Sequence, residues 1–357
     1  MKNRAGIIFL LALSIGAAGF GQTPGALADP AVTQLLPPDA GLLIGIEWRR
    51  SLASMTGAAI QKAWTGFPAG PQFSRLTQAL SEDVDSIVLA ASDQTLVRPA
   101  DNLPMLVIVR GRFDAERLRQ WFPGKSERVG GVELITPSNV KPPDSKLAFL
   151  DAGTLLFGDR RELLAAIRRR SAPPVARPAS PLLERASALA VANDFWIALN
   201  APPGGFKQPA GSPAAAPTPG VQFLSEVTGL DLGLSFTAGF SLDASLRAKS
   251  EQAAQQLGIA VQGLIAMGAM NSQANPEGAK MLQRVQIVQA GPAVRINLRL
   301  TEAEMAQSVA QLQAARANVV AARPAERPAE PRRAQQGKIR IVGAGADPLE
   351  MPVKPAQ

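Results

Sequence analysis

A chain of 357 residues with 46% hydrophobic content can bury the cores of two ordinary domains, while 30 prolines and 31 glycines imply loops that never pack. It contains no histidine, cysteine or tyrosine, which removes the Ser-His-Asp triad, the thiolate nucleophile, the common zinc site and the disulfide framework. The formal charge is +8, and 27 of the 37 basic residues are arginine, which keeps its charge and grips carboxylate or phosphate with two donors at once.

Lys2 and Arg4 open the chain, and an apolar run follows from Ala5 to Phe20 that only Ser14 interrupts. A basic start, an apolar core and a small-residue exit form the pattern of a secretory signal peptide. Two exits fit, Gly19-Phe20-Gly21 and the A-x-A match Ala26-Leu27-Ala28, and residues 1–28 are taken as the leader. A spanning helix wants about 20 apolar residues, and this run stops short of Gln22 and Pro24. The expectation is a periplasmic or secreted protein without a transmembrane span after cleavage, its charge falling to +6 as Lys2 and Arg4 leave.

Gly41–Trp48 then reads as a buried strand, and Ser51–Trp64 and Gln72–Leu80 as helices separated by the breaker Gly66–Pro71. Asp85–Ala91 and Met105–Gly111 are apolar strand runs. Asp114–Phe122 is a helix with Asp114 at its N-cap, and Arg128–Thr136 is a further strand. Leu147–Leu150 and Thr154–Phe157 flank Asp151-Ala152-Gly153, a short hairpin connection. Asp159–Arg170 is a helix, with Asp159 and Glu162 at capping-box spacing and three arginines in the last turn, where the helix dipole favours cations.

Residues 171–180, rich in proline and alanine, form a linker, and a second series of elements begins. Ser180-Pro181 opens a helix to Leu189, with serine at the N-cap and proline at the first helical position. Asp194–Leu199 is a strand, 201–220 a flexible Pro/Gly/Ala loop, and Leu230–Phe236 pairs with Phe240–Ala248. Ser250 starts a long helix ending near Met270, and Gln252–Pro276 carries no charge. Against a membrane-inserting reading, which Gln255, Gln256, Gln262 and several glycines oppose, it is read as a helix buried against a sheet, its Gly and Ala allowing close approach. Val285–Gln289 and Val294–Leu300 flank a turn, and Thr301 with Glu304 heads a helix whose Met305, Val309 and Leu312 share a face.

These elements predict an α+β fold of two similar antiparallel-sheet units, 32–170 and 181–316, each with helices on one face and a ligand groove between them. Their shared order suggests an internal duplication, best matched at Leu147–Gly153 against Val285–Gly291. Residues 317–357 form a disordered Pro/Arg/Ala tail with a short strand at 338–342, which could close the protein's own sheet edge or add to a partner's, self-docking being preferred.

Few residues suggest chemistry. Ser138-Asn139-Val140-Lys141 has the Ser–Lys spacing of penicillin-binding proteins, but Pro137, Pro142 and Pro143 deny it the helix that this chemistry needs. Glu82, Asp83 and Asp85 form a solvated corner rather than a calcium loop, which wants six to eight oxygens. Gly343-Ala344-Gly345-Ala346 lacks the third glycine and following helix of a dinucleotide site. Arg160, Arg161, Arg168, Arg169 and Arg170 form the densest basic patch. Read as function it holds an anionic lipid or glycan surface; read as structure it is a helix end, and the structural reading is preferred.

The run Leu147-Ala-Phe-Leu-Asp-Ala-Gly-Thr-Leu-Leu-Phe-Gly-Asp159, following Gly111-Arg-Phe-Asp114 and Gly130-Gly-Val-Glu-Leu-Ile135, resembles exported bacterial proteins of unknown function. In these a strand ending in Arg-Gly-x-Phe-Asp leads a helix and a Leu-Asp-x-Gly-Thr-Leu hairpin follows. The resemblance covers about Asp83 to Arg170 and implies an envelope location and an α+β fold, with no catalytic or binding residues to carry over. The expected protein is therefore a non-enzymatic envelope protein that binds another envelope protein or an anionic surface, without cofactor, metal or nucleic acid. A carboxylate-dependent hydrolase of envelope glycan is the alternative.

Overall fold

The computed structural model describes residues 25–52, 83–93, 105–138, 145–173, 180–202, 225–237, 239–270, 276–308, 310, 338–341 and 349–352. The expected leader up to Thr23 and Pro24, most of the helices at 51–64 and 72–80, most of the linker and of the 201–220 loop, and the tail up to 337 lie outside them.

Up to Ala310 the chain forms one contact unit. Its elements are a 3-10 turn at Ala26–Ala28, α1 (Pro30–Leu35), β1 (Ala40–Ile46), α2 (Trp48–Leu52), β2 (Val84–Ser92), β3 (Leu106–Gly111), α3 (Ala115–Trp121), β4 (Gly124–Val129), β5 (Val132–Pro137), β6 (Ser145–Asp151), β7 (Thr154–Asp159) and α4 (Arg160–Ser171). The second half continues with α5 (Pro181–Ala192), β8 (Phe195–Asn200), β9 (Val227–Ser235), β10 (Phe240–Ala248), α6 (Glu251–Met270), α7 (Pro276–Gln283), β11 (Gln286–Ala290) and β12 (Ala293–Leu300), and a helix at 302–308 follows.

The α+β class and the antiparallel pairing are as the sequence predicts, but the two expected sheets are one. Twelve strands run in the order β11-β12-β10-β9-β8-β1-β2-β3-β7-β6-β5-β4. The halves join where β1 pairs β8, Leu42 opposite Leu199 through Ile46 opposite Phe195. Each half repeats a spatial order, β1-β2-β3-β7-β6 in the first and β8-β9-β10-β12-β11 in the second, so the segments Leu147–Gly153 and Val285–Gly291 occupy matching places. This order alone does not establish a duplication.

Helices also cover both faces, not one. The strands of the first half are apolar at successive positions, as in Leu106-Val-Ile-Val109, so each of their faces needs cover. Leu43, Val88, Ile108, Leu156 and Trp196 pack beneath the 26–28 turn, α1, α4 and α5. On the opposite face Leu147 and Leu155 meet Phe113, Leu118 and Phe122 of the α3 segment, and further along the sheet Val294 meets Ala253, Ala254 and Leu257 of α6.

The helix starts are built as their caps predict. Asp114 accepts the backbone N–H groups of Glu116 and Arg117 at 2.7 and 3.0 Å, and Asp159 accepts that of Glu162 at 2.9 Å. Thr301 and Glu304 bond reciprocally, Thr301 N–H to Glu304 Oε2 at 2.8 Å and Glu304 N–H to Thr301 Oγ1 at 3.4 Å. One strand reading is corrected: Arg128–Thr136 is the hairpin β4–β5. Gly130 and Gly131 take φ of +58° and +81°, the paired left-handed conformations of a two-residue turn whose twist matches the strands.

Beyond residue 310 a separate unit holds β13 (Lys338–Ile341) and β14 (Leu349–Pro352), paired antiparallel with Lys338 opposite Pro352. The tail strand thus pairs with β14 within its own unit.

Candidate functional site

The seam between the halves is the place where a groove was expected, and it is filled. α5 lies over β8, β1 and β9, and the depression lined by Leu36, Pro37, Pro38, Ala40, Leu43 and Leu183 measures only 70 Å³. At the other end of the seam, past Ile46 and Ala192, sit the two buried carboxylates among the described residues, Glu47 and Asp194, 7% and 1% exposed. Asp194 accepts Arg50 Nε at 2.6 Å with one oxygen and the Phe236 N–H at 2.8 Å with the other. Arg50 also donates to the carbonyls of Ala190, Val191 and Asn193 at the end of α5. Glu47 accepts the Ala26 N–H at 3.0 Å, and its own N–H donates to the Asp194 carbonyl at 2.8 Å. Burial pushes the Glu47 carboxyl above its ordinary range, against the pull of the Ala26 N–H and the Arg50 charge. These acids tie the 26–28 turn, β1 and β8 together.

That contact also bears on the leader. Ala26 and Leu27 are buried in the core, Leu27 at 4% exposure. A cut after Ala28 would remove both, and with them the donor to Glu47. A cut after Gly21 would leave both in place.

The arginine patch divides by partner. Arg160 Nε binds Glu127 at 3.0 Å, Arg170 binds Asp151 at 2.8 Å, and Arg169 donates twice to the Leu35 carbonyl, at 2.7 and 3.0 Å. Arg161 and Arg168 have no salt-bridge partner within 4 Å among the described residues. Three of the five arginines are thus engaged in holding α4 to its neighbours. The acidic corner is likewise paired, Asp83 with Arg117 at 3.2 Å and Asp85 with Arg49. Among the described residues no group of three or more carboxylates is placed to hold a metal.

The surface that sequence reasoning missed is α6. Its first two turns are buried against β10, β12 and β11 through Ala253, Ala254 and Leu257. Beyond Leu257 one side of the helix faces solvent, where Ile259, Leu264 and Met267 are 63%, 48% and 53% exposed. A helix turns about 100° per residue, which places these three with Ala260 and Gly263 on one arc. The opposite side, through Gln262, Ile265, Ala266 and Ala269, meets Leu282 and Ile287 around a groove of 310 Å³. The signal was visible as a charge-free run, but apolar composition alone does not separate a buried helix from a free one. No helix among the described residues is long and apolar enough to cross a membrane.

No family model and no curated protein matches this chain. Crystal form I of TP0453 is similar at 10% identity over 80% of this chain and 97% of that one, with a TM-score of 0.44. Crystal form IV of the same protein is similar at 10% identity over 80% and 99%, with a TM-score of 0.41.

Proposed function

We propose that this is an exported, non-catalytic protein of the cell envelope that works by binding a partner through the free end of the α6–α7 arm. The observation that carries the reading is the exposure of Ile259, Leu264 and Met267 on a helix without a charged residue from Gln252 to Met270. Contiguous exposed apolar surface is unfavourable in water and marks contact sites in proteins that keep it. Export is supported by Lys2, Arg4 and the apolar run to Phe20, and by a folded core that takes in Ala26 and Leu27 just past that run. The non-catalytic reading is supported by the seam, where the buried acids are consumed by structural bonds.

A photo-crosslinking residue in place of Leu264, expressed in the producing cell, tests it. The expected result is one discrete adduct, absent when the crosslinker replaces Arg168 on the other face of the sheet. No adduct at 264, or the same adducts from both positions, overturns the assignment.

A further inference from the structure

We infer that the partner of the α6 arc is a second copy of this chain, the two helices crossing at Gly263 about a two-fold axis. The inference rests on the reading of the arm as the contact surface and names what covers it.

Three observations single out a second copy. Ile259, Gly263 and Met267 recur every four residues, the spacing of the ridges that interdigitate when two helices cross. Ala260 and Leu264 form the adjacent row. At the centre of the exposed arc stands glycine, and a Cβ there would meet nothing within 4 Å. Glycine inside a helix is destabilising relative to alanine. Among the described residues nothing packs into the space it leaves, whereas a second helix backbone would, through close approach.

Charge separates the occupants further. The chain carries +8, so most of its faces repel a copy of themselves, but this arc is neutral and can face its own image without that penalty. A helix that lies on an anionic bilayer carries Lys and Arg along its polar side, and α6 carries neither. About a two-fold axis Gly263 faces Gly263 and Ile259 faces Met267, a pairing that closes at two copies. The contact is a single helix pair, so the dimer is weak and depends on concentration.

The absence of cysteine makes the test direct, because one introduced cysteine has only its twin to pair with. A disulfide needs Cα atoms within about 7 Å. Gly263→Cys in the otherwise unaltered chain should oxidise to a covalent dimer, and Gln262→Cys, on the side facing α7, should not. Sedimentation equilibrium should show the parent dimerising with concentration, and Leu264→Glu should raise the dissociation constant at least about tenfold, with circular dichroism checking that the variant is folded. A parent that stays monomeric, with no Gly263→Cys dimer, overturns the inference. If the adduct at position 264 then still forms with another protein's mass, the contact surface stands and only its occupant was wrong. Binding of that monomer to vesicles of neutral and anionic lipid, lost in Leu264→Glu, would assign the arc to lipid instead.

Discussion

Strands β3 and β7 hold the same places in the first half of the sheet that β10 and β12 hold in the second, yet their surroundings differ. Leu106, Ile108 and Leu156 are fully buried, while β10 has no buried position before Ala248. The cause is cover. The first pair lies between the α4 side and the α3 side, so both faces are dry. The second pair has α6 on one face, and its other face carries Asp243, Arg247, Arg295, Asn297 and Arg299, beside Asp231 of β9. There Asp231 bridges Arg185 and Arg247, and Asn297 donates to Asp243. One backbone order therefore serves two purposes: a hydrophobic core in the first half, and a ladder with a polar face and a projecting arm in the second.

The largest test of this contrast is truncation at matching depth. Leu156→Ala should lower unfolding free energy by about 4 kcal/mol, the usual loss for an enclosed leucine. Leu246→Ala, on half-buried β10, should cost about half that or less. Chemical denaturation measures both, and equal losses would erase the distinction between the halves.

Next in size is the chain start, which belongs to the covered half. A chain beginning at Asp29 loses the buried Leu27 side chain and leaves Glu47 without its Ala26 donor. It should be about 3 kcal/mol less stable than one beginning at Gln22, from lost burial plus a stranded buried acceptor. Denaturation of the two chains checks this, and equal stability would remove Ala26 and Leu27 from the core.

The smallest effect belongs to the far end of the second half. Glu304 is pulled from its ordinary 4.5 down to about 2, chiefly by the Arg284 hydrogen bond and then by Thr301. Its folded value lies below its unfolded one, so its contribution is present above pH 4.5 and is lost as pH falls toward 2. Arg284→Gln should move the carboxyl midpoint, followed by NMR, upward toward 4.5. An unmoved midpoint would assign the shift to the Thr301 cap alone.

Much of the fold was legible because its signals are local. Asp114, Asp159, Ser180 and Thr301 marked helix starts through short-range bonds that the structure contains. The hairpin at Gly130-Gly131 was readable in principle, but alternation continues on both sides of the turn and the run passed for one strand. Cover on both faces was written in runs such as Leu106–Val109, whose two sides are equally apolar. What local pattern does not encode is which distant edges meet, so the β1–β8 joint and the loss of the groove were not legible. The candidate site was hidden for a different reason. The charge-free stretch from Gln252 was seen, but hydrophobic content reports what a side chain prefers, not whether the fold supplies it with a neighbour.

The β1–β8 joint also sets the order in which the protein can be completed. Leu42 takes its place early in the chain and pairs Ala91 on one side, but its other edge waits for Leu199. Closing so long a loop before any contact rewards it makes this pairing slow. A chain emerging from its N-terminus therefore passes through an interval in which β1, rich in leucine and isoleucine, shows an unpaired edge. Until β8 arrives that edge can be taken by any extended segment. Yield during production is thus governed by how quickly residues 195–200 follow the first half.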